Sequence, residues 1–207
     1  MGASGSRSVP GRAVLAVVLA LGVAGAAGCS GDGDPVPSPS PSAATSPAAS
    51  PTPSVEAPIG PLGTGPRSAA AEVPATSAAL LTDVRTGGHT GFARVVFDFE
   101  GDAAPGWTVA YEPGPFTADP SDLPLNVAGS AFLRVRMEPA AGYDQGTATA
   151  TYTGPERVGG TSPVTEVVRQ GDFEAVLSWV VGVDGERPFA VAWLQDPGRL
   201  VIDVSSS

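Results

Sequence analysis

Every Phe, Tyr and Trp of this chain lies at Phe92 or later. Aromatic side chains bring the largest apolar area to a core, so the only aromatic-bearing interior the chain can build is C-terminal. Composition shifts with the aromatics and divides the chain into residues 1–28, 29–75 and 76–207.

The first zone reads as a targeting segment. Arg7 and Arg12 precede the uncharged run AVLAVVLALGVAGAA, Ala13 to Ala27, which ends in small residues just before Cys29. The run is shorter than the roughly 20 residues a permanent transmembrane helix needs, and its flanks are those of a cleavable signal peptide. Ala26-Ala27-Gly28-Cys29 resembles the lipobox of bacterial lipoproteins, with Ala26 where that pattern prefers Leu. The resemblance implies that the thiol of Cys29, the sole cysteine, is joined to diacylglycerol and that cleavage makes Cys29 the new N-terminus. The membrane then becomes a partner through the diacylglycerol, at the extracytoplasmic face of the cell membrane. Two acyl chains hold far more firmly than one, at about 0.8 kcal/mol per buried CH₂. The alternative is a small buried or unpaired Cys after an ordinary signal peptide. Met1-Gly2-Ala3-Ser4-Gly5-Ser6 also fits the N-myristoylation pattern, but a cytoplasmic protein would have no use for a cleavable apolar run.

Residues 30–75 read as a spacer. Ten of the 22 prolines lie between Pro35 and Pro66, alternating with Ser, Thr and Ala. Such a segment buries too little apolar surface to offset chain entropy. It favours an extended polyproline-like conformation, and at about 3.1 Å per residue it could reach on the order of 140 Å. Its composition permits O-glycosylation. Gly31-Asp32-Gly33-Asp34 resembles a fragment of a calcium loop but lacks the further ligands and the closing Glu, and reads as part of the spacer.

Charge and rare residues exclude several functions. The net charge of −10 repels nucleic acid and anionic lipid head groups. All 11 basic residues are Arg, so no lysine is available as Schiff base, nucleophile or phosphate ligand. One Cys and one His, Cys29 and His89, cannot build a zinc site of the usual kind or a disulfide framework. No cofactor or metal is expected.

The third zone, about Thr76 to Ser207, is long enough for one domain. Its periodicity is two. Val95, Phe97 and Phe99 oppose Arg94, Val96, Asp98 and Glu100; Trp107, Val109 and Tyr111 oppose Thr108, Ala110 and Glu112; Leu133, Val135 and Met137 oppose Phe132, Arg134 and Arg136. These are strands with one face in a core and one in water. Leu80 to Val84 and Thr147 to Thr153 are further candidates. Val164–Arg169, Phe173–Val183, Phe189–Leu194 and Arg199–Val204 are β-prone runs separated by Gly, Asp and Pro, and predict a four-strand antiparallel meander. Leu177, Trp179, Val181 and Val183 line one face of the second run while Val176 and Val180 line the other, as in a central strand. No stretch has helical period. The reading is all-β: an antiparallel β-sandwich or flattened barrel of about eight or nine strands.

This zone resembles the actinobacterial AMIN-like domains of secreted proteins and lipoproteins. The matching stretches are Gly88-His89, Gly91 to Phe99, Pro105 to Tyr111, Gly171 to Glu174, Leu177 to Trp179, Arg187 to Phe189 and Asp196 to Val204. The closing stretch is also similar to the end of the AMIN domain attached to cell-wall amidases. Ala93 and Trp107 stand where a polar residue and a Tyr are expected. The resemblance implies an AMIN-related fold and no established activity; the AMIN domain proper is associated with peptidoglycan binding or localisation, and the catalytic domain of the amidases is not among the matching stretches.

The residues themselves offer little catalytic chemistry. His89 would have to serve any Ser-His-Asp triad, yet no Ser occupies a Gly-x-Ser-x-Gly elbow; between Gly88 and Thr90 a role in the turn is the plainer reading. A glycosidase pair would draw on Asp98, Glu100 and Asp102, whose alternation also suits a solvated strand face. For wall binding, Arg can clamp the carboxylates of muramyl groups or stem peptides bidentately, and aromatic rings can stack on sugars. Arg94, Arg134, Arg136 and His89 are therefore the candidate ligand-binding residues, against the alternative of Arg–Asp pairing across strands, which suits Arg94 better than Arg136. Trp107, Trp179 and Trp193 look inward. Three functions remain open: a non-catalytic, membrane-tethered envelope module that binds peptidoglycan or a wall-associated protein, an accessory module recruiting a protein by a sheet edge, and a wall hydrolase.

Overall fold

Alternating apolar and polar residues along the C-terminal zone form strands that face one another across a common core. The computed structural model describes residues 56–74 and 76–207. The residues read as a signal segment, Cys29, Gly31–Asp34 and most of the residues read as a spacer lie outside the described residues. In chain order the strands are β1 (Arg67–Ala69), β2 (Ala79–His89), β3 (Phe92–Phe99), β4 (Gly106–Tyr111), β5 (Phe116–Ala118), β6 (Leu123–Leu125), β7 (Ala131–Glu138) and β8 (Ala140–Ala141). They continue with β9 (Tyr143–Asp144), β10 (Thr149–Ala150), β11 (Arg157–Gly159), β12 (Val164–Phe173), β13 (Val176–Val183), β14 (Phe189–Leu194) and β15 (Arg199–Ser205). No helix occurs among the described residues.

Two sheets carry the fold. A six-stranded sheet has the order β1-β4-β7-β13-β12-β11, and a five-stranded sheet the order β14-β15-β3-β2-β8. All pairings are antiparallel except β2 with β8. The sheets bury their inner rows against each other: Leu81, Val95, Phe97, Leu200 and Ile202 from one, Val109, Leu133, Val135, Met137, Leu177, Trp179 and Val181 from the other. Trp179 is fully buried and meets Phe97 and Tyr152 edge-on, with centroids 5.8 and 5.6 Å apart. Such T-shaped pairs suit the ring quadrupole. After β7 the chain passes Pro139, which has no N–H to continue the ladder, and β8 then joins the other sheet, closing one side of the sandwich. The all-β sandwich read from periodicity is therefore the fold.

The predicted meander is corrected to two hairpins. β12 pairs with β13 in one sheet and β14 with β15 in the other. Strand β13 already has β12 on one edge and β7 on the other, so β14 has no free edge there to join. The turn is also displaced. Gln170-Gly171-Asp172 lies inside β12 as a register shift, and the reversal is made by Glu174 and Ala175, both at positive φ. Glycine is needed at 171 for another reason: a Cβ there would meet Asp119 at 2.7 Å, where the loop after β5 crosses the strand. That crossing belongs to the β5–β6 hairpin, whose Phe116 packs edge-on against Phe132 of β7 at 5.4 Å, so the hairpin touches both strands that neighbour β13. The Thr147–Thr153 run shrinks to the two-residue β10, and its Tyr152 enters the core.

Residues 56–74, which composition places in the spacer, lie along the domain instead. β1 pairs with β4 from Arg67↔Val109 to Ala69↔Trp107. Gly63 and Phe189 exchange both backbone hydrogen bonds, at 3.0 and 2.9 Å. Ile59 N–H donates to Asp203. Apolar Ile59, Leu62 and Val73 break the Pro/Ser/Ala monotony at the end of the spacer, and Val73 packs on the core.

Candidate functional site

The outer row of the five-stranded sheet brings Arg94 opposite Asp203, since β3 and β15 pair in that register. Arg94 Nε donates to Asp203 Oδ1 at 2.7 Å and Nη2 to Oδ2 at 2.9 Å, a bidentate clamp. Ile59 N–H completes the carboxylate at 2.6 Å. Asp203 is fully buried, and the Arg94 side chain is 17% exposed. The hydrogen bond to Asp203 raises the guanidinium further above its ordinary value, desolvation opposes this, and the charges of Asp203 and Glu56 add to it.

The third arm, Nη1, pairs with Glu56 Oε1. Glu56 Oε2 lies 2.9 Å from His89 Nδ1. His89 closes β2 opposite Phe92, across a two-residue turn whose Gly91 takes φ +88°, open to glycine at no steric cost. Its ring stacks on Phe92 with centroids 4.7 Å apart and planes 8° from parallel. The Arg94 guanidinium sits 5.2 Å from the centre of the same ring. One carboxylate is thus met at two points by donors from two strands.

Sequence reasoning named both donors and neither carboxylate. Arg94 shares its outward row with Asp98, but Asp98 is held by Arg85, at 2.8 and 3.2 Å, while Arg94 pairs across strands with Asp203. Asp203 is the lone charge inside the apolar run Leu200–Val204. Glu56 is the only acid between Pro35 and Ala71, which is the signal that marks it.

The other two candidates lie on the other sheet. Arg134 and Arg136 share the outward row of β7. Arg134 Nη1 donates to Glu112 Oε2 at 3.2 Å, and Arg136 Nη2 to Glu138 Oε2 at 2.7 Å. The four residues therefore do not form one site: Arg94 and His89 come together, Arg134 and Arg136 neighbour each other elsewhere.

Two of the three acids considered for hydrolysis, Asp98 and Asp102, are engaged structurally, while Glu100 is exposed. Asp98 is in its ion pair, and Asp102 Oδ1 accepts the N–H of Asp196. Trp107 and Trp179 are buried, and Trp193 packs against Phe99 while its Nε1–H donates to the Asp102 carbonyl. A cleft of about 530 Å³ opens elsewhere, lined by Thr76, Ser77, Leu80, Tyr143, Asp144 and Gln145 among others. Tyr143 is 43% exposed there. Hydrogen bonds from Thr147 and Gly146 hold the Asp144 carboxyl below its ordinary value.

The AMIN-like domain family model matches residues 79–206, from the start of β2 past the end of β15. No curated protein and no solved structure matches the chain. The matched segment holds every long strand of the sandwich and both donors of the Arg94–His89 pair, and it covers more than half of the sequence; the chain belongs to the AMIN-like domain family.

Proposed function

We propose that this protein is a non-catalytic cell-envelope lipoprotein, anchored through diacylglycerol on Cys29 at the extracytoplasmic face of the membrane, whose AMIN-like domain binds peptidoglycan or a wall-associated protein. AMIN-like domains are in general envelope-associated, non-catalytic modules, and membership of that family is the observation that carries the reading. The cleft beside Tyr143 supports it, because a half-exposed ring flanked by Asp144 and Gln145 offers a sugar both a stacking face and hydrogen-bonding groups.

The second reading, recruitment of another chain by strand addition, draws on β14. It ends the five-stranded sheet, and beyond Phe189 no strand pairs with its outer side among the described residues. Sedimentation of the full chain with purified sacculi, with and without their attached proteins, separates the two. Retention on protein-free sacculi supports direct wall binding. Retention lost on stripping the proteins supports recruitment. Release of muropeptides by the purified protein, abolished by replacing one acid, would overturn the non-catalytic reading.

A further inference from the structure

Arg94 faces two carboxylates that differ in kind. Asp203 is fully buried on the adjacent strand and takes two parallel hydrogen bonds, so it belongs to the fold and fixes the plane of the guanidinium. Glu56 is 49% exposed and takes only the remaining arm, its other oxygen turned to His89. Phe92 lies against both donors, stacked on the imidazole and under the guanidinium, so neither donor depends on Glu56 for its placement. Both donors, Phe92 and Asp203 fall inside the family match at residues 79–206, whereas Glu56 falls outside it. The segment carrying Glu56 is tied down from Ile59 onward, by the Asp203 bond and the Gly63–Phe189 pair. Glu56 precedes these ties, and an ion pair so exposed holds weakly.

We infer that Arg94 and His89 form a carboxylate-binding site whose resident occupant is Glu56, and that an external carboxylate, from a sugar acid or a peptide terminus, takes the same two donors when Glu56 swings out. The site stands on its own geometry; it rests on the wall-binding reading only for the source of the ligand, since muramyl groups and stem peptides both carry carboxylates. Glu56 competes as an intramolecular ligand, with an effective concentration on the order of millimolar for a short tether. An external acid therefore binds the intact chain more weakly than the vacated site, by the fraction of chains in which the site is open.

His89 is the only histidine, so its ring C–H signals in an NMR spectrum report this site without ambiguity. The full chain in detergent is titrated with N-acetylmuramic acid and with N-acetyl-D-alanyl-D-alanine, and in parallel with the methyl ester of the first and the amide of the second. A free acid is expected to move the ring signals saturably while its neutral form does not, and the acid that does so identifies the source. Glu56→Gln is expected to lower the half-saturating concentration about three- to ten-fold. Arg94→Lys, which keeps a charge toward Asp203, is expected to weaken binding because the planar fork is lost. Equal shifts with acid and neutral forms, no shift with either acid in either chain, or no tightening in Glu56→Gln would each overturn the site. Sacculus sedimentation of the same samples reads the wall function separately. Retention without ring shifts overturns this site and leaves wall binding standing; ring shifts without retention do the reverse.

Discussion

Asp203 sits on the outward row of its strand and is nevertheless fully buried. A lone carboxylate taken out of water costs several kcal/mol, so its stability depends on the three hydrogen bonds from Arg94 and Ile59. Arg94→Met is expected to destabilise the fold by about 3–5 kcal/mol in urea unfolding, because it strands that charge. The double variant Arg94→Met/Asp203→Leu is expected to recover more than half of the loss, since an apolar pair of similar volume needs no solvation. Tyr111 and Tyr152 make a second residue-scale case. Burial raises both phenols above the ordinary value of 10.0. A raised phenol contributes stability below its unfolded pKa, and that contribution is lost as pH climbs from about 10 toward the folded value. The midpoint of thermal unfolding should therefore fall above pH 10, and Tyr111→Phe and Tyr152→Phe should each flatten that fall. None of these environments is legible in sequence. Spacing puts Asp203 on an outer row, but it does not reveal that a segment some 140 residues earlier in the chain returns to cover it.

At the scale of elements, most of the long strands are legible because six or more alternating residues carry a period, but β2, the longest, shows only as a run over Leu80 to Val84. The strands of two or three residues carry none, and they are defined by their partners: β1 by β4, β11 by β12, β5 and β6 by each other. The Glu174–Ala175 reversal shows how sequence misleads over turns. Gly171 attracted the turn, yet its small size serves the approach of Asp119, and two residues with Cβ atoms hold φ of 51° and 59° instead. The left-handed region costs ordinary residues about 1–2 kcal/mol relative to the right-handed one, and two-residue hairpins favour Asn-Gly. Glu174→Asn/Ala175→Gly is thus expected to stabilise the protein by about 1 kcal/mol. An unchanged or lower urea midpoint would contradict the strain argued for this turn.

For the whole molecule, the family match and the folded body do not coincide. The match begins at residue 79, but residues 56–74 add a strand to one sheet, bridge the edge of the other and supply a hydrogen bond to a buried carboxylate. A chain starting at residue 56 is therefore expected to exceed one starting at residue 76 in unfolding free energy by at least about 2 kcal/mol, largely through the N–H donated to the charged Asp203. Equal stabilities would reduce the segment to a passive tether. Composition could not distinguish this stretch from the spacer before it, because its ties are mostly backbone hydrogen bonds, which any residue but proline can make. Beyond the folded body, the account depends on export and anchoring through the one thiol. Intact mass spectrometry of the protein recovered from the membrane fraction tests this most directly. The account predicts a polypeptide that begins at Cys29 and carries the mass of a diacylglyceryl group; a full-length chain with unmodified Cys29 in the cytosol would contradict it.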